Sequence, residues 1–199
     1  FTPRQLLALG IFVKYTRAAC GAMSSPGYTS EWKEAVAAYL SLSFDRLTSF
    51  NCVNVRWKLD AEAVVDAFAR FAIPIMWDFA ESVPVGLYAG AYELCYERIA
   101  LALDTILFIR LLEPPQVNIN SAATAIFKQD YDAVVTDPPY YDAIPYADAM
   151  DFFYVWLRRT LHELSPEIDT AFSQSLSPKW NHEANDGELI DDASRFDGD

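Results

Sequence analysis

An acid, two prolines and an aromatic ring, Asp137-Pro138-Pro139-Tyr140, follow directly on the apolar, β-branched run Ala133-Val134-Val135-Thr136. The run reads as a buried strand, and the tetrapeptide as the loop into which it opens. That order of residue types suits chemistry on an exocyclic amine of a nucleobase. The amine lone pair is delocalised into the ring, so it is a poor nucleophile until acceptors draw its two N–H groups out of conjugation. Asp137 would offer a carboxylate oxygen to one N–H. The main-chain carbonyl of Pro138 would take the other, held outward because both proline rings fix φ and remove competing donors. Tyr140 would stack on the base, contributing roughly 1–3 kcal/mol while tolerating different bases. The plainer alternative is that Pro-Pro ends a strand and that Asp and Tyr are ordinary turn residues. The strand context favours the chemical reading. Asp132 reads as a polar residue at the strand's edge and has no role assigned.

Transfer of a methyl group to such an amine, with S-adenosylmethionine as donor, is the reaction this motif points to. The longer run Asp137-Pro-Pro-Tyr-Tyr-Asp-Ala-Ile-Pro-Tyr-Ala-Asp-Ala-Met-Asp-Phe-Phe-Tyr-Val-Trp-Leu-Arg-Arg159 resembles a segment of the large adenine-specific DNA methylases that carry an N-terminal domain of unknown function. Phe1-Thr-Pro-Arg-Gln-Leu-Leu-Ala-Leu9 and Phe68-Ala-Arg-Phe-Ala-Ile-Pro-Ile-Met-Trp-Asp-Phe-Ala-Glu81 are similar to other parts of that family, so the likeness covers most of the chain. It implies a partial Rossmann-like sheet of α/β type, bound S-adenosylmethionine, and DNA as the partner, with the target base flipped out of the stack. It also implies that Val117-Asn118-Ile119 and the run before Asp137 are the third and fourth strands, with Asn120 and Ser121 near the adenine of the cofactor. A plain Asn-Ser turn is the leading reading at that last pair. By the same likeness, Ser194 to Asp199 resembles a point where family members continue, so the chain is expected to be an internal fragment.

The sequence departs from the family in one respect. Methyltransferases of this class hold the methionine end of the cofactor with a Gly-rich turn after the first strand. Here the seven glycines are dispersed, and Gly86 and Gly90, the nearest approach to such a turn, lie beside a helical pattern with no strand before them. The remainder of the site is therefore expected from outside these residues, and the chain alone to be inactive.

Composition agrees with a folded piece: 199 residues with 52% hydrophobic content can bury a core. The net charge of −13 is unusual for a nucleic-acid partner, because sequence-independent affinity comes from Lys and Arg displacing counterions. Residues 179–199 explain part of it, holding seven acids against Lys179 and Arg195, a local balance of −5. Contact with DNA must then be local or come from elsewhere. Cys20, Cys52 and Cys95 are far apart and read as reduced core residues of a cytoplasmic protein. His162 and His182 stand apart from them, so no metal site is expected. The apolar window Ile99 to Leu112 is interrupted by Asp104 and Arg110, too short to span a bilayer, and reads as a buried helix.

Three regions follow. Residues 1–112 read as a helical recognition or partner segment, 113–164 as the partial methyltransferase unit, and 165–199 as an acidic surface or disordered tail. Thr2-Pro3-Arg4-Gln5 has the form of a helix start, with a first helix to about Ala22 carrying a broad apolar face. A second begins after Thr29 or Ser30, a third is capped by Asp60 and carries Val64, Val65, Phe68 and Phe71, and a fourth runs from about Tyr88 to Leu112. Four helices in series suggest a bundle. Beyond the motif, a helix from about Ala147 to Leu164 has Phe152, Phe153, Val155, Trp156 and Leu157 as its core face. Tyr141 and Asp142, just before it, are candidates to close over a flipped base. Arg158 and Arg159 could touch phosphate, but adjacent arginines at a helix end more often face solvent and offset the helix dipole.

Two classes of function remain from sequence. One is a methyltransferase fragment acting on adenine N6 ahead of cytosine N4, with related motifs also serving RNA bases and glutamine amides. The other is a non-enzymatic helical module that binds DNA or a partner and keeps only a remnant of the sheet.

Overall fold

Helix α1 (Pro3–Ala22) begins with a closed capping box. The Thr2 hydroxyl accepts the Gln5 N–H at 3.2 Å, and the Thr2 N–H donates to Gln5 Oε1 at 2.8 Å. Pro3, with no N–H to leave unpaired, takes the first helical position. Helix α2 (Ser30–Phe50) also starts on a capping hydroxyl, that of Thr29 accepting the Trp32 N–H. Both starts are those expected from sequence. The computed structural model describes residues 1–24, 27–68, 73–108, 115–117, 131–138, 140, 144, 146–176, 181, 183–184 and 187.

The expected third helix is instead a hairpin. β1 (Arg56–Lys58) and β2 (Ala63–Val65) pair antiparallel, with Arg56 opposite Val65 and Lys58 opposite Ala63. Asp60 caps nothing. It sits in the connecting turn with its carboxylate 3.3 Å from the Lys58 ammonium, and Glu62 adopts φ of +47° to reverse the chain. The reason lies in the side chains: Val64 and Val65 are β-branched and stiff at χ1, which favours a pleated backbone. This hairpin is the only sheet among the described residues, so the fold is mixed helix and strand, with no parallel sheet among them.

Helix α3 (Tyr92–Phe108) starts four residues later than its periodicity suggests. Gly86 and Gly90 have φ of +126° and +92°, which an α-helix cannot accommodate, and the Tyr88 hydroxyl donates to the carbonyls of Val83 and Val85. Nor is this helix buried along its length. Cys95 is its buried residue, while Leu101, Ile106, Leu107 and Phe108 are exposed, because no described element covers its second half. Residues 109–112 lie outside the described residues. α1 likewise buries a stripe through Gln5, Leu9, Thr16 and Cys20 rather than a broad face, with Leu7, Ile11 and Tyr15 exposed.

Helix α4 (Tyr146–Leu161) returns to the helical core. Trp156 meets Phe44 and Phe1 edge-on, and Phe152 packs on Phe1, Phe68 and Phe153, as the apolar face predicts. The region expected as an acidic surface or disordered tail opens, over described residues 165–176, with a further helix. Ser165 caps a short helix α5 (Pro166–Ala171), and Ile168 and Phe172 pack against Cys20, Ala37 and Leu161. A capping serine followed by proline carried this signal, but the polar residues around it masked it.

Helix α2 is the centre, in contact with α1, α3 and α4. From Ser41 to Phe50 only Leu42 and Arg46 reach solvent, so this stretch is buried almost all round. Neighbours can close on it because many of its residues are small. Ser43, Thr48 and Ser49 satisfy their hydroxyls on the carbonyls of Tyr39, Asp45 and Arg46, within their own helix. At its end, Asn51 reaches outward. Its Nδ2 donates to the carbonyls of Leu47 and Gly90 at 3.0 and 2.9 Å, and its Oδ1 accepts from Ser82 at 3.2 Å. One buried amide thus ties the 82–91 turn to α2.

Asp45 is the costly member of this helix. It is 6% exposed, its Oδ1 has no hydrogen-bond partner among the described residues, and burial pushes its carboxyl up to about 8. Between the ordinary aspartate value and about 8, the folded chain holds a proton that the unfolded chain releases. Stability contributed at this position therefore falls as pH rises through that window, by up to about 6 kcal/mol. Thermal melts followed by circular dichroism should show Asp45→Asn gaining stability over the parent at pH 8 and little at pH 4; equal shifts at both values would contradict this. Asn51→Ala leaves the Gly90 carbonyl and the Ser82 hydroxyl without their partner, and should lower the unfolding free energy by about 2–3 kcal/mol in urea titrations.

Candidate functional site

The residues singled out by sequence lie in the stretch that leads into α4. Tyr131 to Pro138 carries no helix or strand, and the expected buried strand Ala133 to Thr136 is open to solvent, with Val135 95% exposed. A parallel strand is buried on both faces and bonded along both edges. Among the described residues none lies beside this run to supply either, so its apolar, β-branched sequence has no ladder to join.

Asp137 and Pro138 are exposed, and Tyr140 is 63% exposed. None of the three is taken up in the core, and none has a hydrogen bond or ring contact with another described residue that would fix its side chain. Pro139, Tyr141, Asp142, Asn120 and Ser121 lie outside the described residues, as do Asn118 and Ile119 of the expected upstream strand. The stretch is held from its far side, where Ala147 is buried at the start of α4 and Tyr154 and Trp156 are buried farther along. A cavity of about 530 Å³ opens beside this helix, walled by Phe1, Val13, Phe152, Val155 and Trp156, with Asp151 at its edge. Asp137, Pro138 and Tyr140 are not among its walls.

The glycines nearest to a cofactor turn have packing roles. A Cβ at Gly90 would stand 2.9 Å from both Ser82 Oγ and Val64 Cγ2, and one at Gly86 would meet the Tyr88 ring. The backbone at these two positions is approached by the protein's own side chains, which leaves no cradle for a ligand. Neither glycine therefore offers the open backbone turn that would hold the methionine end of S-adenosylmethionine.

The three cysteines are unpaired and buried, and burial pushes their thiols up, that of Cys95 to about 11. Such thiols stay protonated and are weak nucleophiles. No helix among the described residues is long and apolar enough to cross a membrane.

What sequence reasoning did not find is the company kept by Arg158 and Arg159. Arg17, more than 140 positions earlier, donates to the carbonyls of Arg159 and His162 at 3.4 and 2.7 Å, so three arginines converge at the end of α4. No local pattern reveals that meeting, which depends on α1 lying along α4. No family model matches the chain, and neither a curated protein nor a solved structure matches it.

Proposed function

We propose that this chain carries the amine-binding part of an S-adenosylmethionine-dependent DNA methyltransferase that acts on an exocyclic base amine, adenine N6 ahead of cytosine N4. The observation that carries the reading is the order Asp137-Pro138-Pro139-Tyr140, of which Asp137, Pro138 and Tyr140 are exposed, a few residues before a helix whose far half is anchored in the core. In this role the Asp137 carboxylate and the Pro138 carbonyl accept the two N–H groups of the amine, and Tyr140 stacks on the base. Extrusion of a base from duplex DNA costs a few kcal/mol, which stacking and edge hydrogen bonds must offset. The grip on the methyl donor is assigned to a separate polypeptide segment, consistent with side chains filling the space at Gly86 and Gly90. A partial Rossmann-like sheet would form when neighbouring strands pair with Ala133 to Thr136.

A second reading is a non-enzymatic module that binds DNA or a protein through its helices. It is favoured by the exposed apolar residues of α1 and α3, Leu7, Ile11, Leu107 and Phe108 among them.

The two readings differ in what a base must offer. Fluorescence anisotropy with single-stranded oligodeoxynucleotides should give tighter binding when the central base is adenine than when it is purine, which lacks the 6-amino group. Asp137→Ala should erase that preference, and Tyr140→Ala should weaken both by about tenfold. Equal binding of adenine and purine by the parent chain would sink the methyltransferase reading and leave the helical module.

A further inference from the structure

We propose that the cleft between α1, the end of α4 and α5 is an anion site that takes a phosphate group. Its volume is about 670 Å³, and Arg17, Arg158, Arg159, His162, Asp169 and Phe172 line it. This is the size range of small-ligand pockets and well above what a single ion needs. In a chain of 28 acids and 15 Lys or Arg, three guanidinium groups share this one cleft.

The arginines reach it from two distant parts of the chain and are held in place. Arg17 caps the end of α4 through the His162 and Arg159 carbonyls. Arg158 Nη1 donates to the Gln174 carbonyl at 2.9 Å, and Arg159 Nη1 donates to the Val155 carbonyl at 2.8 Å while its guanidinium lies over the Trp156 ring. A guanidinium has five N–H donors in a planar fork, and each of Arg158 and Arg159 uses one nitrogen in a bond to a described carbonyl. Fixed forks of this kind match the paired oxygens of a phosphate.

Two carboxylates stand near. Glu163 is 3.3 Å from Arg17 and 3.7 Å from His162, and Asp169 is 3.4 Å from His162 while accepting the Glu163 main-chain N–H. They answer Arg17 and His162 rather than Arg158 and Arg159, so the cleft keeps a positive balance. Lys33 lines the adjoining hollow with Arg17 and His162 and adds to it.

The Asp137 motif precedes α4 in the chain, whereas this cleft lies at the far end of the 16-residue helix, roughly 24 Å along its axis. A free phosphorylated small molecule and the backbone of a nucleic-acid strand offer the same oxyanion, and the test tells them apart. Calorimetry with pyrophosphate covers the first, and anisotropy with a labelled abasic deoxyribose-phosphate oligomer covers the second. An abasic strand has no amine and no ring to stack, so this result is independent of base recognition at Asp137 and Tyr140.

The expected result is binding of pyrophosphate, the oligomer or both, weakened about tenfold by Arg159→Gln and more by Arg158→Gln with Arg159→Gln. Affinity should also fall steeply with added salt. Arg17 is left intact because it caps α4, and circular dichroism would verify that the variants keep the parent fold. Pyrophosphate alone would identify a small phosphorylated ligand, and oligomer binding would identify a strand backbone. Failure of the parent chain to bind either, or equal binding by the folded double variant, would overturn the proposal.

Discussion

Everything in this fold depends on three helices closing around α2. A helix surrounded on most sides cannot carry large side chains everywhere, since neighbouring axes approach to about 8–10 Å. The sequence answers with Ala37, Ser41, Ser43, Thr48 and Ser49 among the apolar Phe44, Leu47 and Phe50. Hydroxyls are tolerable there because most fold back onto the carbonyls of their own helix, leaving little polarity to satisfy elsewhere. Asp45 breaks that economy. Its carboxyl is held protonated by the same closeness of packing that makes the core, and a neutral acid in an apolar place is the state that low dielectric allows.

Because α2 is central, what touches it is fixed and what does not is left to other influences. α4 is fixed: Trp156 packs edge-on against Phe44, and Leu161 joins Cys20 and Ala37. Asp137, Pro138 and Tyr140, before α4, take part in none of these contacts. Asp137, Pro138 and Tyr140 thus hang from a rigid support without being shaped by it, an arrangement that leaves their geometry to be completed by a bound base or by neighbouring strands. The second half of α3 is similar. It is helical by its own sequence, with its apolar side chains uncovered among the described residues.

Local signals in the sequence were the most readable. The pattern Thr2-Pro3-Gln5 marks a helix start to the residue, and the second helix begins after Thr29, one of the two positions the sequence offered, since capping is decided by groups three positions apart. Ser165-Pro166 carried the same signal and was hidden by polar surroundings. Periodicity was less reliable where two periods compete. Val64, Val65 and Phe68 suit a helical face, yet Val64 alone of β2 is buried, on the alternating pattern of a strand. The run Ala133 to Thr136 illustrates a different limit. Its composition states that it can be a strand, while strand formation requires partners that composition cannot supply. The meeting of Arg17 with Arg158 and Arg159 is harder still, because it follows from helix packing and from nothing near those residues in sequence.

Electrostatics connects these observations. A protein with net charge −13 repels a polyanion at long range, and at physiological salt that repulsion is screened over roughly 8 Å. Within that distance only local charge matters. The cleft at the end of α4 gathers Arg17, Arg158 and Arg159 where the balance is reversed, and it does so on the helix that also supports the Asp137 stretch. Phosphate held at one end of α4 would fix a ligand without requiring a basic surface elsewhere. With phosphate bound there as proposed, the overall acidity would discourage non-specific contact, and the few arginines in the cleft would decide where contact occurs.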